Sequence, residues 1–292
     1  MIRFVQQLGL AGAISLTAAM GLRAADLPGE IPQESGWTGG VAVCVGYDEA
    51  GPISPLPGFR TQLLESDSQS VARARTRVIA EKVGDKVTVK GWEHGFLPYA
   101  DNLVNLLIVD DANTKLPKGE IARVLAPRGI ALLAEGVPAG GLQKQPGGGR
   151  LITYTKPVPD GIDDWPHYLY GPDNNAVSGD KRIKPPLRHL QWVGGPRWSR
   201  HHDKMSSISA VVSSGERVFY IIDEAPVASV AFEPEWRLVA RNAFSGVLLW
   251  KRSIEPWEGH LRPFRTGPTA LARRLVAVGD RVYVTLGYGK PV

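Results

Sequence analysis

The chain has 292 residues, with 34 Lys or Arg against 29 Asp or Glu, and a net charge of +5 at neutral pH. That excess is thinly spread, net −2 over residues 26–160 and net +5 over 161–292, so the concentrated basic stripe of a nucleic-acid binder is absent. The single cysteine, Cys44, excludes an intrachain disulfide.

In chain order, Arg3 precedes an uncharged run from Phe4 to Leu22 dominated by Leu, Ala, Gly and Ile, and small residues follow at Ala24-Ala25. This is the layout of a secretory signal peptide (residues 1–24) cut after Ala24. Gln6, Gln7, Thr17 and several Gly and Ser residues weaken the run, whereas a transmembrane anchor needs about 20 strongly apolar residues. No later segment is apolar enough to span a membrane, and Cys44 lacks a lipobox. The expectation is an exported chain, periplasmic or extracellular, with no transmembrane span after cleavage.

Residues 25–136 alternate strand and helix. Val41–Val45 reads as a buried strand, Gln69–Val83 as a helix and Lys86–Lys90 as a strand. Leu103–Asp110 is another buried strand, Lys118–Leu125 a short helix and Ile130–Glu135 a further strand. Such alternation predicts a parallel sheet covered by helices. Residues 137–163 then hold a Gly- and Pro-rich loop (VPAGGLQKQPGGG) and a Pro-containing hinge (KPVPDGID). The roughly 20 residues between the Ile130 strand and the hinge read mostly as loop.

Beyond the hinge helical periodicity vanishes and short strands recur. Ala210–Ile222 is strand–turn–strand around Gly215-Glu216, and Arg274 opens a similar unit around Gly279-Asp280. Between them, RLVARNAFSGVLLWKR (Arg237–Arg252) is an apolar strand, a turn from Asn242 to Gly246, and a second apolar strand ending in Trp250. Asn and Ser close such a turn by side-chain to backbone hydrogen bonds, and glycine supplies the positive φ.

Two family resemblances follow from these residues. LPYADNLVNLLIVDD (Leu97–Asp111) with EIARVLAPRGIALL (Glu120–Leu133) resembles a class I methyltransferase domain of the small-molecule type, over about residues 36–135. LLESDSQSVARAR (Leu63–Arg75) resembles the family's second strand and the helix after it. The resemblance implies a Rossmann-like domain with S-adenosylmethionine (SAM) as cofactor. Gly46 would lie in the glycine loop, Glu65 at the cofactor ribose and Glu93 at the adenine amino group. The loop departs from the family pattern D-x-G-x-G-x-G: Cys44 replaces the acid, and Tyr47-Asp48-Glu49 occupy positions of closest approach. Asn105 replaces an acid in the fourth strand. With an export signal on a protein whose cofactor is cytoplasmic, these departures predict a decayed, cofactor-free domain.

The second resemblance is to PQQ-like β-propellers, whose repeat reads A-x-D-x-x-T-G-x-x-x-W. Ala240, Asn242, Ser245, Gly246 and Trp250 fill its places, and the junction Asp163–Asp180 resembles the strand leading into a first blade. Residues 164–292 would then be the start of a propeller, about one and a half blades of a ring that needs four to eight, in a chain truncated or split from a longer one. A quinone (PQQ) cofactor is possible only through this resemblance, because the vicinal cysteines of the alcohol-oxidising members are missing. His167, His189, His201, His202 and Asp203 cluster in sequence, but adjacent histidines on a strand face opposite ways, so no metal site is expected. Trp250 is expected to pack between blades, while Trp236 and Trp257 are candidates for carbohydrate stacking at the propeller mouth.

The sequence therefore predicts an α/β Rossmann-like domain followed by an incomplete all-β propeller. Its function is expected to be non-catalytic binding or scaffolding, with no catalytic residue and an unknown ligand or protein partner at the propeller face. The alternatives are an active SAM-dependent methyltransferase and a fragment of a PQQ-dependent quinoprotein oxidoreductase.

Overall fold

A computed structural model describes residues 39–46, 57–93, 95–111, 113–147, 150–183, 186, 190–195, 208–227, 232–255, 257 and 271–286. The leader 1–24, the segment Tyr47-Asp48-Glu49, and His189, His201, His202 and Asp203 lie outside them. The chain divides between Asp160 and Gly161 into two compact units. No helix among the described residues is long and apolar enough to cross a membrane.

The first unit is a seven-stranded sheet in the order β3-β2-β1-β4-β5-β7-β6. Its strands are β1 (Gly40–Val45), β2 (Phe59–Glu65), β3 (Val87–Gly91), β4 (Val104–Val109), β5 (Leu125–Ala134), β6 (Gln143–Lys144) and β7 (Leu151–Thr155). β1 to β5 are parallel, and β7 runs antiparallel to both β5 and β6. The Rossmann-type parallel sheet expected from the alternation is present. β1, and β4 apart from Asn105, are apolar because both faces are covered: one cluster gathers Ala42, Leu63, Leu106 and Ile108, the other Val43, Leu64, Leu107 and Val109.

The helix α1 (Ser68–Ala80) packs Val71, Ala74 and Val78 inward at helical spacing. Full burial of each valine contributes roughly 1.5–3 kcal/mol. Asp67 caps it, its carboxylate accepting from the Gln69 N–H at 2.9 Å and the Ser70 N–H at 2.8 Å. The Ser70 hydroxyl, foremost, and these N–H groups hold the carboxyl below its ordinary range. The helix stops three residues short of the predicted Val83, because Lys82 turns to φ +57°.

Two boundaries differ from expectation for identifiable reasons. α2 (Glu120–Val124) yields to strand at Leu125, five residues ahead of the predicted Ile130 start. Pro127 and Gly129 read as a turn in sequence, but they lie in a β-bulge, with Arg128 at φ +56° and a register shift between Val104 and Leu106. The stretch read as loop supplies β6 and β7. The strand LITYT is short and follows glycines, so period-2 alternation has little length in which to show.

The second unit holds a four-stranded antiparallel sheet, β11-β10-β9-β8, and a two-stranded hairpin, β12-β13. These are β8 (Ile208–Ser214), β9 (Arg217–Asp223), β10 (Trp236–Asn242), β11 (Leu248–Ser253), β12 (Leu275–Val278) and β13 (Arg281–Val284). The sheet is antiparallel and unclosed, so the described residues form no propeller ring. Gly215 and Glu216 turn the first hairpin at φ +57° and +65°. In the second, the Asn242 side chain accepts from the Phe244 and Ser245 N–H groups at 3.1 and 2.7 Å.

Trp236 and Trp257 are buried in the core of this unit, at 4% and 0% exposure. That corrects the expectation of sugar-stacking rings: their faces contact Leu271, Leu275 and other core side chains. Trp250 packs at the margin of the same cluster, 6.0 Å from Phe219 between ring centroids. At the junction, Asp163 accepts from the Tyr170 hydroxyl at 2.6 Å and the Gly179 N–H at 2.6 Å, tying that loop into a knot. His167 forms an isolated bridge with Tyr170, and no group of metal-ligating side chains occurs among the described residues.

Candidate functional site

Strand order reverses between β1 and β4: β2 and β3 lie to one side, β5 to the other. In an open parallel sheet this switch point leaves a crevice outside the carboxyl ends of the strands, where ligands bind. Gly46 follows β1 there at φ +71°, and a Cβ on it would lie 3.0 Å from the Asp111 side chain. Its N–H donates to the Leu64 carbonyl at 3.3 Å, and the Asp110 N–H donates to the Val45 carbonyl at 3.3 Å. The ends of β1, β2 and β4 are thereby held level.

Carboxylates collect along this edge. Glu65, the last residue of β2, is 8% exposed, and its carbonyl accepts from the Trp92 N–H at 2.9 Å. The side chain of Asp110, just past β4, is 7% exposed and pairs through Oδ2 with Arg150. Its Oδ1 is buried and has no hydrogen-bond partner. Burial first, then the charges of Glu65 and Asp110, push the Cys44 thiol up to about 12. Cys44 is therefore a protonated wall of the site and no nucleophile at neutral pH.

Beside Glu65 a cleft of about 690 Å³ opens between the start of α1 and the end of β3. Asp67, Arg75, Lys90, Trp92, Glu93 and Pro98 line it. The three residues picked from sequence thus occupy neighbouring strands along one edge: Gly46 after β1, Glu65 ending β2, and Glu93, exposed, just beyond β3. Asn105 belongs elsewhere. It lies inside the sheet, where its Oδ1 accepts from the Val41 N–H at 2.9 Å and Gly40 leaves room for it.

Sequence reasoning missed Asp110, Arg150, Trp92 and Pro98 as site residues. The Asp110–Arg150 pair spans 40 residues and has no local signature. Pro98 belonged to a family motif without a visible chemical role, and Trp92 was given no role. The Glu120 to Arg123 segment, read as part of a short helix leading into a strand, ties down the loop that carries Pro98. Glu120 Oε1 accepts from the Leu97 N–H at 2.7 Å, and Arg123 donates to the Leu97 and Tyr99 carbonyls at 3.0 and 2.8 Å.

No family model matches the chain, and no curated protein matches it. Solved structures do. A candidate SAM-dependent methyltransferase from Methanococcus maripaludis is 14% identical, with a TM-score of 0.34, over 44% of this chain and 83% of that one. A SAM-dependent methyltransferase from Aquifex aeolicus is 13% identical, with a TM-score of 0.31, over 42% and 86%. A candidate sarcosine dimethylglycine methyltransferase from Galdieria sulphuraria is 19% identical, with a TM-score of 0.29, over 35% and 42%. These three are methyltransferases by description, against the expectation of a non-catalytic PQQ-like scaffold with a decayed domain.

Proposed function

We propose that the chain is a SAM-dependent methyltransferase whose cofactor lies along the carboxyl edge of the first sheet. The observation that carries this reading is the buried Asp110 Oδ1 at the switch point, without a hydrogen-bond partner among the described residues and on the same strand-end edge as Glu65. A buried carboxylate oxygen without a partner costs free energy until a donor or a positive charge meets it. SAM fits that donor set, having ribose hydroxyls, an ammonium group and a sulfonium. When bound, it supplies an electrophilic methyl group.

The chain's own residues have distinct tasks in this reading. Glu65 accepts from ribose hydroxyls, as acids ending a second strand do in nucleotide folds. Glu93 accepts from the adenine amino group at the cleft wall, and Trp92 and Pro98 shield the nucleoside from water. Gly46, without a side chain, admits the ligand close to the backbone. Asp110 balances positive charge where water is scarce, and Arg150 holds that carboxylate in place.

Calorimetric titration of SAM into the full chain tests this. Micromolar binding is expected, weakened at least tenfold in Glu65→Ala; a folded wild-type chain giving no heat overturns it. Two further readings are separate. The run Phe4–Leu22 before Ala24-Ala25 supports export, and a mature chain that still starts at Met1 would refute it. The meander β8–β11 with the Asn242–Gly246 turn supports a propeller-type second unit; an experimental structure showing a closed two-layer sandwich would refute that.

A further inference from the structure

The wall of the cleft that carries Pro98 belongs to a loop between β3 and β4 with no secondary structure of its own. Besides the Asn102 N–H donating to the Arg123 carbonyl at 2.9 Å and Lys156 Nζ donating to Asn102 Oδ1 at 2.6 Å, three attachments hold this loop. The Trp92 indole N–H donates to the Phe96 carbonyl at 3.0 Å, and the Tyr99 hydroxyl donates to Gln62 Oε1, on β2, at 2.7 Å. The third attachment is the Glu120–Arg123 pair on α2. Glu120 takes the Leu97 N–H, while the Arg123 guanidinium reaches the Leu97 carbonyl, the Tyr99 carbonyl and, at 2.7 Å, Asp101 Oδ1. Within the pair, Arg123 Nε and Nη2 donate to the two Glu120 oxygens at 2.8 and 2.6 Å.

This arrangement is poorly explained as a stabiliser of α2. Glu120 is 3% exposed and the Arg123 side chain 31%, and an ion pair with one partner taken out of water is often no better for stability than apolar residues of the same volume. α2 has five residues and no side-chain cap at Gly119, so it has little helix of its own to stabilise. What a planar, five-donor fork does provide is direction: it fixes several acceptors relative to one another at once. Two of the acceptors here are the carbonyls on either side of Pro98.

We infer that Glu120 and Arg123 are positioning residues for the cofactor cleft: they hold Leu97–Tyr99 in the bound geometry before ligand arrives, so that Pro98 is a preformed wall. The inference rests on the methyltransferase reading for its ligand, but not for its mechanical part. A wall ordered in advance spares the ligand the cost of ordering it.

The test uses the full chain, with SAM titrated calorimetrically and backbone hydrogen exchange followed over residues 95–101. Arg123→Lys keeps a cation beside Glu120 but cannot reach Leu97, Tyr99 and Asp101 together. Binding about tenfold weaker is expected, with faster exchange at Leu97 and Tyr99 and unchanged protection in β1 and β4. A folded Arg123→Lys chain with wild-type affinity, or with unchanged exchange in the loop, overturns the inference. So does a lowered melting temperature with both readouts unmoved. If Arg123→Lys fails to fold, Glu120→Gln gives the same comparison. If wild-type chain binds no SAM, the methyltransferase reading fails, and loop exchange alone decides whether the pair holds the wall.

Discussion

Cys44 shows how a position altered from the family pattern takes its chemistry from its surroundings. It sits in β1 between Val43 and Val45, packed among Ala42, Leu63 and Ile108, with Glu65 and Asp110 nearby. Burial and both acids disfavour the thiolate, which is the reactive form. With the thiol pushed up to about 12, it stays protonated at pH 8. Iodoacetamide at pH 8 is therefore expected to leave native Cys44 unlabelled and to alkylate it after denaturation, as read by mass spectrometry. Labelling of native chain at the rate of a free thiol would show that the β1 end opens to solvent.

At the scale of elements, legibility followed the length of the pattern. β1 and β4 were visible because runs of five and four consecutive apolar residues, Val41–Val45 and Leu106–Val109, signal a strand buried on both faces. The core of α1 was visible through its period, yet its stop depended on Lys82 adopting a left-handed conformation, which no lysine announces. β7 escaped because it has five residues, and the start of β5 because Pro127 and Gly129 look alike in a bulge and in a turn. At the site, the edge positions Gly46, Glu65 and Glu93 came from motif spacing. The Asp110–Arg150 pair and the Glu120–Arg123 fork depended on which segments the topology brings together, and a local reading has no access to that.

The Asn242–Gly246 turn was legible for the opposite reason, since its geometry is wholly local. Gly246 has φ +69°, and a Cβ there would lie 2.5 Å from the Trp192 ring, whose indole N–H donates to the Ala243 carbonyl at 2.7 Å. The Gly246 carbonyl also accepts from Arg241 at 2.8 Å. Gly246→Ala meets both a disfavoured backbone and an aromatic wall, so a loss of at least ~1 kcal/mol is expected. Denaturant unfolding followed by tryptophan fluorescence measures it. A midpoint unchanged from wild type would mean that Trp192 swings away freely and does not hold the turn.

The two units differ in what builds their cores. One is a mostly parallel sheet with apolar clusters on both faces; the other is an antiparallel sheet and hairpin gathered around Trp257. Each unit has apolar clusters of its own. Separate cores favour separate unfolding events, so calorimetric heating is expected to show two transitions. They can be assigned by perturbing one unit at a time. Trp257 is fully buried, with the Arg274 guanidinium 4.4 Å from its ring, and Trp257→Ala is expected to cost about 3–5 kcal/mol. That loss should lower one midpoint and leave the other in place. SAM, binding only the folded first unit, should raise the midpoint that Trp257→Ala spares, by linkage, and Glu65→Ala should abolish most of that rise. A single transition moved by both perturbations would mean that the units unfold together. Two transitions of which SAM moves the one lowered by Trp257→Ala would place the ligand in the second unit and refute the site at the carboxyl edge.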